Sequence, residues 1–301
     1  MHGEKSATHC ACGKANDGIH LAWSSDGVDF SAQNSLQEAA LFTPALASDG
    51  TRLFMAFASG DGLHVRVFAF DDSDFSSYHE LEQQQPSGET APFDGVTISA
   101  PALLYGHERL FLAFRFRDDD SQIRVISSAD GERFDVTTSV TIMGDTAEPS
   151  SPGLALAGSK LYLYWVKQDW QHPAVDPHLI VLESEDDGRS FGNQRILSRQ
   201  PLNRPGLLAF DTGAQDPDLF LFWSDPTAEF GPMKVSIYED AELGSSARDF
   251  DLAGDATSES ISVTQFRNRI YVAWMGSDTS NFPNVARYSP GGLVTYGLLP
   301  N

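Results

Sequence analysis

The chain is predicted to fold as an all-β propeller, a single domain over residues 1–301. Three observations predict this. An aromatic closes a Ser/Asp/Gly turn at Phe30, Phe75, Phe134, Phe191, Phe250 and Tyr296, in steps of 45, 59, 57, 59 and 46 residues. A second aromatic ends a hydrophobic run at Phe57, Phe114, Trp165, Trp223 and Trp274, with Cys12 where a first member falls. A proline stands 13 residues ahead of three of these, Pro44 before Phe57, Pro101 before Phe114 and Pro152 before Trp165. Pro205 to Trp223 is the same spacing with five residues inserted. A period near 50 residues marks a unit that cannot bury its apolar face alone and so stacks on copies of itself.

One copy shows the strands. Ser99 to Tyr105 forms strand A and reaches a turn at Gly106-His107-Glu108. Arg109-Leu-Phe-Leu-Ala-Phe114 alternates with period two, as a half-buried strand B does. The polar turn from Arg117 leads to strand C, Ile123-Arg-Val-Ile126. The turn from Ser127 to Phe134 then opens strand D. No helical period runs uninterrupted for 12 or more residues. The expectation is therefore six four-stranded antiparallel sheets closed radially, which covers both faces of each and leaves only short edges. The copies run roughly over 5–36, 42–81, 99–140, 150–198, 203–252 and 259–301. A five-bladed ring is the alternative, and it leaves residues 5–36 without a place. Counting back from Cys12 runs off the chain, so the first copy lacks strand A. The C-terminal Ser289-Pro-Gly-Gly-Leu-Val-Thr-Tyr296 either donates that strand or is strand D of the last copy.

The turn between strands C and D carries a second pattern. Ser184-Glu-Asp186-Asp187-Gly188-Arg-Ser-Phe191 reads Ser-x-Asp-x-Gly-x-x-aromatic. Residues 127–134 and 23–30 keep most of it, 71–75 and 245–250 are worn copies, and 289–296 is a trace. The aspartate accepts backbone N–H bonds, the glycine supplies positive φ and the aromatic plugs the gap between strands. Over residues 10–296 this resembles the Asp-box repeat of sialidase-like propeller proteins. The resemblance implies that these turns are structural and lie remote from any active site, which makes Asp26, Asp130, Asp186 and Asp187 turn residues. It also implies that sialidase chemistry requires three arginines on a substrate carboxylate, a Tyr–Glu nucleophile pair and an aspartic acid. The Arg-Ile-Pro segment of that signature is not found, and Asn203-Arg204-Pro205 echoes it only in another repeat. A further recurring acid, Asp61, Asp118, Asp169 and Asp278, falls four residues after the strand-B aromatic and reads as a turn acceptor.

Charge narrows the partners. Forty-two acids against 20 bases give −22, a field that repels nucleic acid and anionic membranes. No apolar stretch approaches the 18 or so residues of a membrane span. The acidic surface fits an extracellular or secreted setting, and no leader is visible from Met1. Cys10 and Cys12 share one face of a strand, which is poor geometry for a mutual disulfide. His9-Cys10-x-Cys12 has no second ligand pair at zinc spacing, so no metal and no cofactor is expected. Nothing in the chain fixes the oligomeric state.

Loops B–C and D–A share the face opposite the Asp-box turns, so a ligand is expected there, among residues that the other copies lack. The fourth B–C loop, Lys167 to His178, is longer than its counterpart Ala58 to Gly62. It carries Asp169, Trp170, His172 and His178. Trp170 belongs to no repeat; beside histidine and aspartate it reads as a sugar-stacking platform, or else as the centre of a small satellite core. Arg115 and Arg117 on the third B–C loop, and Arg199 and Arg204 on a D–A loop, present planar forks for a carboxylate or phosphate. In so acidic a chain, though, a basic residue is more often paired with a neighbouring acid. The D–A connection from Glu82 to Ile98 is either a lid or a plain excursion. Two functions follow: glycan recognition without chemistry, or a glycoside hydrolase using paired carboxylates about 5 to 9.5 Å apart. Glu148, Asp169, Asp225 and Glu229 are the carboxylates available on that face, and a glycan or another small polar molecule is the expected ligand.

Overall fold

A computed structural model describes residues 8–14, 18–30, 32–60, 64–71, 75–84, 90–91, 96–116, 122–134, 136–141, 148–168, 177–201, 203–212, 217–225, 231–239, 243, 247–257, 259–276, 283–289 and 292–298. Among these, β1 (Thr8–Lys14), β2 (Gly18–Ser24) and β3 (Ala32–Leu36) form the first sheet. The second is β4 (Ala45–Ser48), β5 (Leu53–Ala58), β6 (Val65–Phe70) and β7 (Tyr78–Glu80). Then β8 (Glu82–Gln84) and β9 (Thr90–Ala91) make a short hairpin. The third sheet is β10 (Ala102–Gly106), β11 (Arg109–Arg115), β12 (Gln122–Ser128) and, after β13 (Arg133–Phe134), β14 (Val136–Thr141).

The fourth sheet joins β15 (Glu148–Pro149), β16 (Gly153–Ala157), β17 (Lys160–Gln168), β18 (His178–Ser184) and β19 (Gly192–Leu197). The fifth is β20 (Gly206–Phe210), β21 (Asp218–Ser224), β22 (Gly231–Tyr238) and β23 (Arg248–Thr257). The sixth is β24 (Ser262–Phe266), β25 (Arg269–Met275), β26 (Pro283–Ser289) and β27 (Gly292–Leu298). The chain is an all-β propeller. The uniform four strands per sheet expected from the repeat are not found. The first sheet has three strands, and the fourth has five, because β15 pairs β17 beyond the end of β16. The C-terminal strand pairs β26, so it is the fourth strand of the last sheet and does not complete the first. The Glu82–Ile98 connection starts as the β8–β9 hairpin, and β8 runs parallel to β13 of the neighbouring repeat.

Period-two patterning explains the packing. In β5, Leu53, Met55 and Phe57 pack with Ile19 and Leu21 of the first sheet, whereas Phe54 and Ala56 pack with Leu103 and Leu112 of the third. In β11, Leu110, Leu112 and Phe114 face the second sheet, and Phe111 and Ala113 face Leu163 and Trp165 of the fourth. Residue parity thus selects the neighbour, and both faces of β5 and of β11 are buried. The same arrangement joins fourth to fifth through Tyr164 and Leu221, and fifth to sixth through Phe222 and Val272. A last cluster packs Ala22 and Phe30 of the first sheet with Phe266 and Tyr271 of the sixth.

Three turns on one face share a hydrogen-bond pattern. Ser24 Oγ donates to Asp26 Oδ1 (2.8 Å) and accepts from Gly27 N (2.9 Å), and Asp26 Oδ1 also accepts from Val28 N and Asp29 N. Ser128, one residue after the serine that the repeat suggests, does the same with Asp130 and Gly131. Ser184 repeats it with Asp186 and Gly188. These bonds favour the carboxylate form: Asp29 N, the Ser24 hydroxyl and Val28 N hold Asp26 down at about 2.

The turns also clamp neighbouring sheets. His107, at the A–B turn of the third sheet, contacts Asp187 through Nδ1 (2.9 Å) and donates from Nε2 to Gly158 O (2.8 Å) in the fourth. Asp187, then the Gly158 carbonyl, raise the His107 pKa. A raised folded-state value means that this stabilisation is fully present below the unfolded value of about 6.5 and is lost as pH rises through the folded one. Unfolding free energies at pH 5.5 and 8 are expected to differ more for the native chain than for His107→Asn, which tolerates the φ of 49° there. An equal difference in both would remove the clamp from the account.

Candidate functional site

The face opposite these turns is assembled from the strand-A starts and the B–C connections. Short bridges knit it: Ala40 with Ser59, His64 with Val96, and Thr97 with Phe116. Residues entering the inner strands turn in the same way. Thr97 Oγ1 donates to Ser99 O (3.0 Å) and accepts from Ser99 N (3.2 Å), and Ser151 Oγ accepts from Ala100 N (3.1 Å). Ser150 Oγ accepts from Val166 N (2.9 Å) and ties β17 to the strand-A start.

Arg204, just ahead of β20, ties several sheets together on this face. Pro205 ends its backbone freedom just before β20, and Arg204 O accepts from Ile261 N of the sixth sheet (3.1 Å). Its Nη1 donates to Pro101 O (3.2 Å) and Pro152 O (3.1 Å), the carbonyls that begin β10 and β16. One residue therefore joins four consecutive sheets. It is 8% exposed, and no carboxylate lies within ion-pair distance among the described residues. Burial lowers its pKa, with Tyr164 opposing. Tyr164, itself pushed up by burial, accepts from Leu207 N (3.3 Å) beside it.

Four buried polar atoms among the described residues have no hydrogen-bond partner: Ser59 Oγ, Ser99 Oγ, Arg124 Nε and Trp165 Nε1. Ser59 and Ser99 lie in the connections of this face, and Arg124 and Trp165 lie in the strand halves next to it. Arg124 stacks its guanidinium 3.4 Å from the Phe116 ring centroid. Buried orphan donors are rare enough in folded chains that each asks for a reason.

The sequence-expected residues distribute unevenly. Arg115 is buried at the end of β11, opposite Ile123. His178 opens β18 opposite Lys167 and is partly exposed. Asp225 accepts from Lys234 Nζ at 2.7 Å, and this contact holds the lysine pKa up. Arg199 is engaged with Asp249 (2.8 Å), in a network where Trp223 Nε1 donates to Ser236 Oγ and that hydroxyl donates to Asp249. Glu148 pairs with Gln168 through β15, and its side chain lies outside the described residues. Arg117, Asp169, Trp170, His172 and Glu229 lie outside them too, as do Asp61, Asp118 and Asp278.

Two groups escaped sequence reasoning. Arg124 looks like any outward strand residue until Phe116 is placed under it. Asp255, near the end of β23, is half-buried, and burial alone pushes its carboxyl up. It stands beside Ala256, which pairs Pro232, whose carbonyl accepts from Asp225 N. An ion-paired Asp225 and an Asp255 whose carboxyl burial pushes up thus belong to the segments bonded to the start of β22. Divergent environments for two carboxyl groups are what acid and base roles require.

No family model and no curated protein matches the chain. Solved structures do. An α-L-arabinanase of Penicillium chrysogenum, complexed with arabinobiose, superposes with TM-score 0.62 at 13% identity, over 96% of this chain and 95% of that one. The SapL1 lectin, in complex with α-methyl fucoside, gives 0.58 at 10% identity over 98% and 96%. The Hadza microbial sialidase Hz136 gives 0.60 at 14% over 86% of this chain and 57% of that one. These likenesses show the fold, a β-propeller.

Proposed function

We propose that the chain recognises a glycan on the face built from its B–C and D–A connections, and that its ring consists of six units with a three-stranded first member. The six inter-sheet clusters support that count. The observation that carries the choice of face is the set of unpartnered buried polar atoms around it, against the fully bonded Ser–Asp turns opposite. Structural neighbours solved with arabinobiose and α-methyl fucoside support a sugar as the class of ligand. In this reading Trp170 stacks on the sugar ring, Asp169, His172 and His178 take hydroxyls, and Arg115, Arg117 and Arg204 border the site from neighbouring repeats.

A glycan-array screen of the intact chain tests it. Binding of a defined glycan is expected, with Trp170→Ala lowering affinity by roughly 30-fold, as loss of a buried aromatic anchor does, and leaving the melting temperature nearly unchanged. Trp170→Ala that unfolds the chain while sparing affinity contradicts the assignment.

The second reading is glycoside hydrolysis, favoured by the contrast between the raised carboxyl of Asp255 and the ion-paired Asp225, with Glu148 and Asp169 as further carboxylates. Turnover of aryl glycosides that Asp255→Asn or Glu148→Gln abolishes decides for it.

A further inference from the structure

The turn face carries an irregularity that recognition on the opposite face does not use. In the first and fourth sheets, strands C and D are joined by seven residues, 25–31 and 185–191. Those turns bring glycines up to the preceding sheet: a Cβ added at Gly27 would meet Tyr271, and one added at Gly188 would lie 3.7 Å from Phe111. In the sixth sheet only residues 290–291 join β26 to β27. That connection is five residues shorter than the other two. A cleft of about 700 Å³ lies at the corresponding place, between the fifth and sixth sheets.

Its lining is aromatic and basic. Phe210 and Phe220 meet edge to face (6.0 Å), and Tyr288 sits 5.9 Å from Phe220, so the walls are aromatic. Arg248, Arg269 and Arg287 border them. Asp218 is the one carboxylate among the lining residues, and it accepts from Thr212 Oγ1 (3.0 Å). Three cations against one acid is a local reversal on a chain of −22. Arg248 pairs with Glu239 at 3.2 Å, but both side chains are more than half exposed, where such pairs contribute little. Arg269 is exposed, and its side chain has no hydrogen-bond or ion-pair partner among the described residues.

We propose that this cleft binds a small organic carboxylate carried on a flat apolar ring. Guanidinium forks at the rim suit a carboxylate, and the aromatic walls offer more apolar surface than a compact inorganic anion touches. The acidic surround sets a high threshold for any anion, so ring burial and the arginine contacts act together.

Cinnamate is the probe, titrated into the intact chain by calorimetry, with cinnamyl alcohol, acetate and inorganic phosphate as separate arms. Saturable cinnamate binding is expected, with the other three weaker by roughly tenfold or more, the loss of about 1.4 kcal/mol. Arg269→Ala is expected to weaken cinnamate by a similar factor and Arg269→Lys by less. Replacing residues 290–291 with the 185–191 sequence is expected to fill the cleft and abolish binding. No saturable cinnamate binding to the native chain overturns the proposal. So does cinnamyl alcohol or phosphate binding as well as cinnamate, or undiminished affinity in Arg269→Ala. If the grafted chain does not fold, the Arg269 pair and the three control ligands decide alone.

Discussion

Arg204→Ala is expected to lower the unfolding free energy by on the order of 3 kcal/mol, because two buried carbonyls lose a charged donor and the space it occupied is left unfilled. The carbonyls belong to Pro101 and Pro152, which start β10 and β16, so the change reaches sheets that Arg204 does not belong to. Release of a buried charge offsets part of the loss, since the desolvated guanidinium carries its own cost. Arg204→Lys retains a donor but not the planar fork, and should recover only part of the stability. Denaturant unfolding of the three proteins measures this. An Arg204→Ala effect within 0.5 kcal/mol, the range of ordinary surface changes, contradicts the clasp.

Gly27→Ala is the second large effect, expected at roughly 2–3 kcal/mol. Two penalties act together. The backbone sits at φ +76°, and an added Cβ falls 2.4 Å from the Tyr271 hydroxyl and 2.6 Å from its ring. Gly50 separates them: it has φ +91° with nothing within 4 Å of an added Cβ. Gly50→Ala should therefore show the backbone penalty by itself, about 1 kcal/mol. Tyr271→Phe in the Gly27→Ala background should recover part of the difference, since the two residues touch and their effects do not add. Equal costs at Gly27 and Gly50 contradict a turn packed between the first and last sheets.

These residues show which features are legible along the chain. Strand alternation is local, so Leu53, Phe54, Met55 and Ala56 announce which neighbour each one meets. The Ser–Asp turns are local too, and Ser184, Asp186 and Gly188 bond within five residues. The strand count per sheet is not local. β15 exists because Glu148 and Pro149 find Gln168 and Lys167, and β27 is fourth in its sheet because β26 offers an edge. The site is less legible for the same reason. Arg204 was recognisable as an arginine on a D–A connection, but its acceptors lie 103 and 52 residues away. Asp255 acquires its character from burial, which no spacing records.

In the proposed division of work, the Ser–Asp turns hold the ring and the opposite face meets the glycan. Calorimetric titration of the glycan selected by the array, on folded Gly188→Val and folded Trp170→Ala, tests it most directly. Gly188→Val places a branched side chain at φ +77°, and is expected to cost roughly 1 kcal/mol of stability or more while leaving affinity unchanged. Trp170→Ala is expected to lower affinity by roughly 30-fold at near-native stability. Lost affinity in folded Gly188→Val with native affinity in Trp170→Ala would invert the faces and contradict the claim.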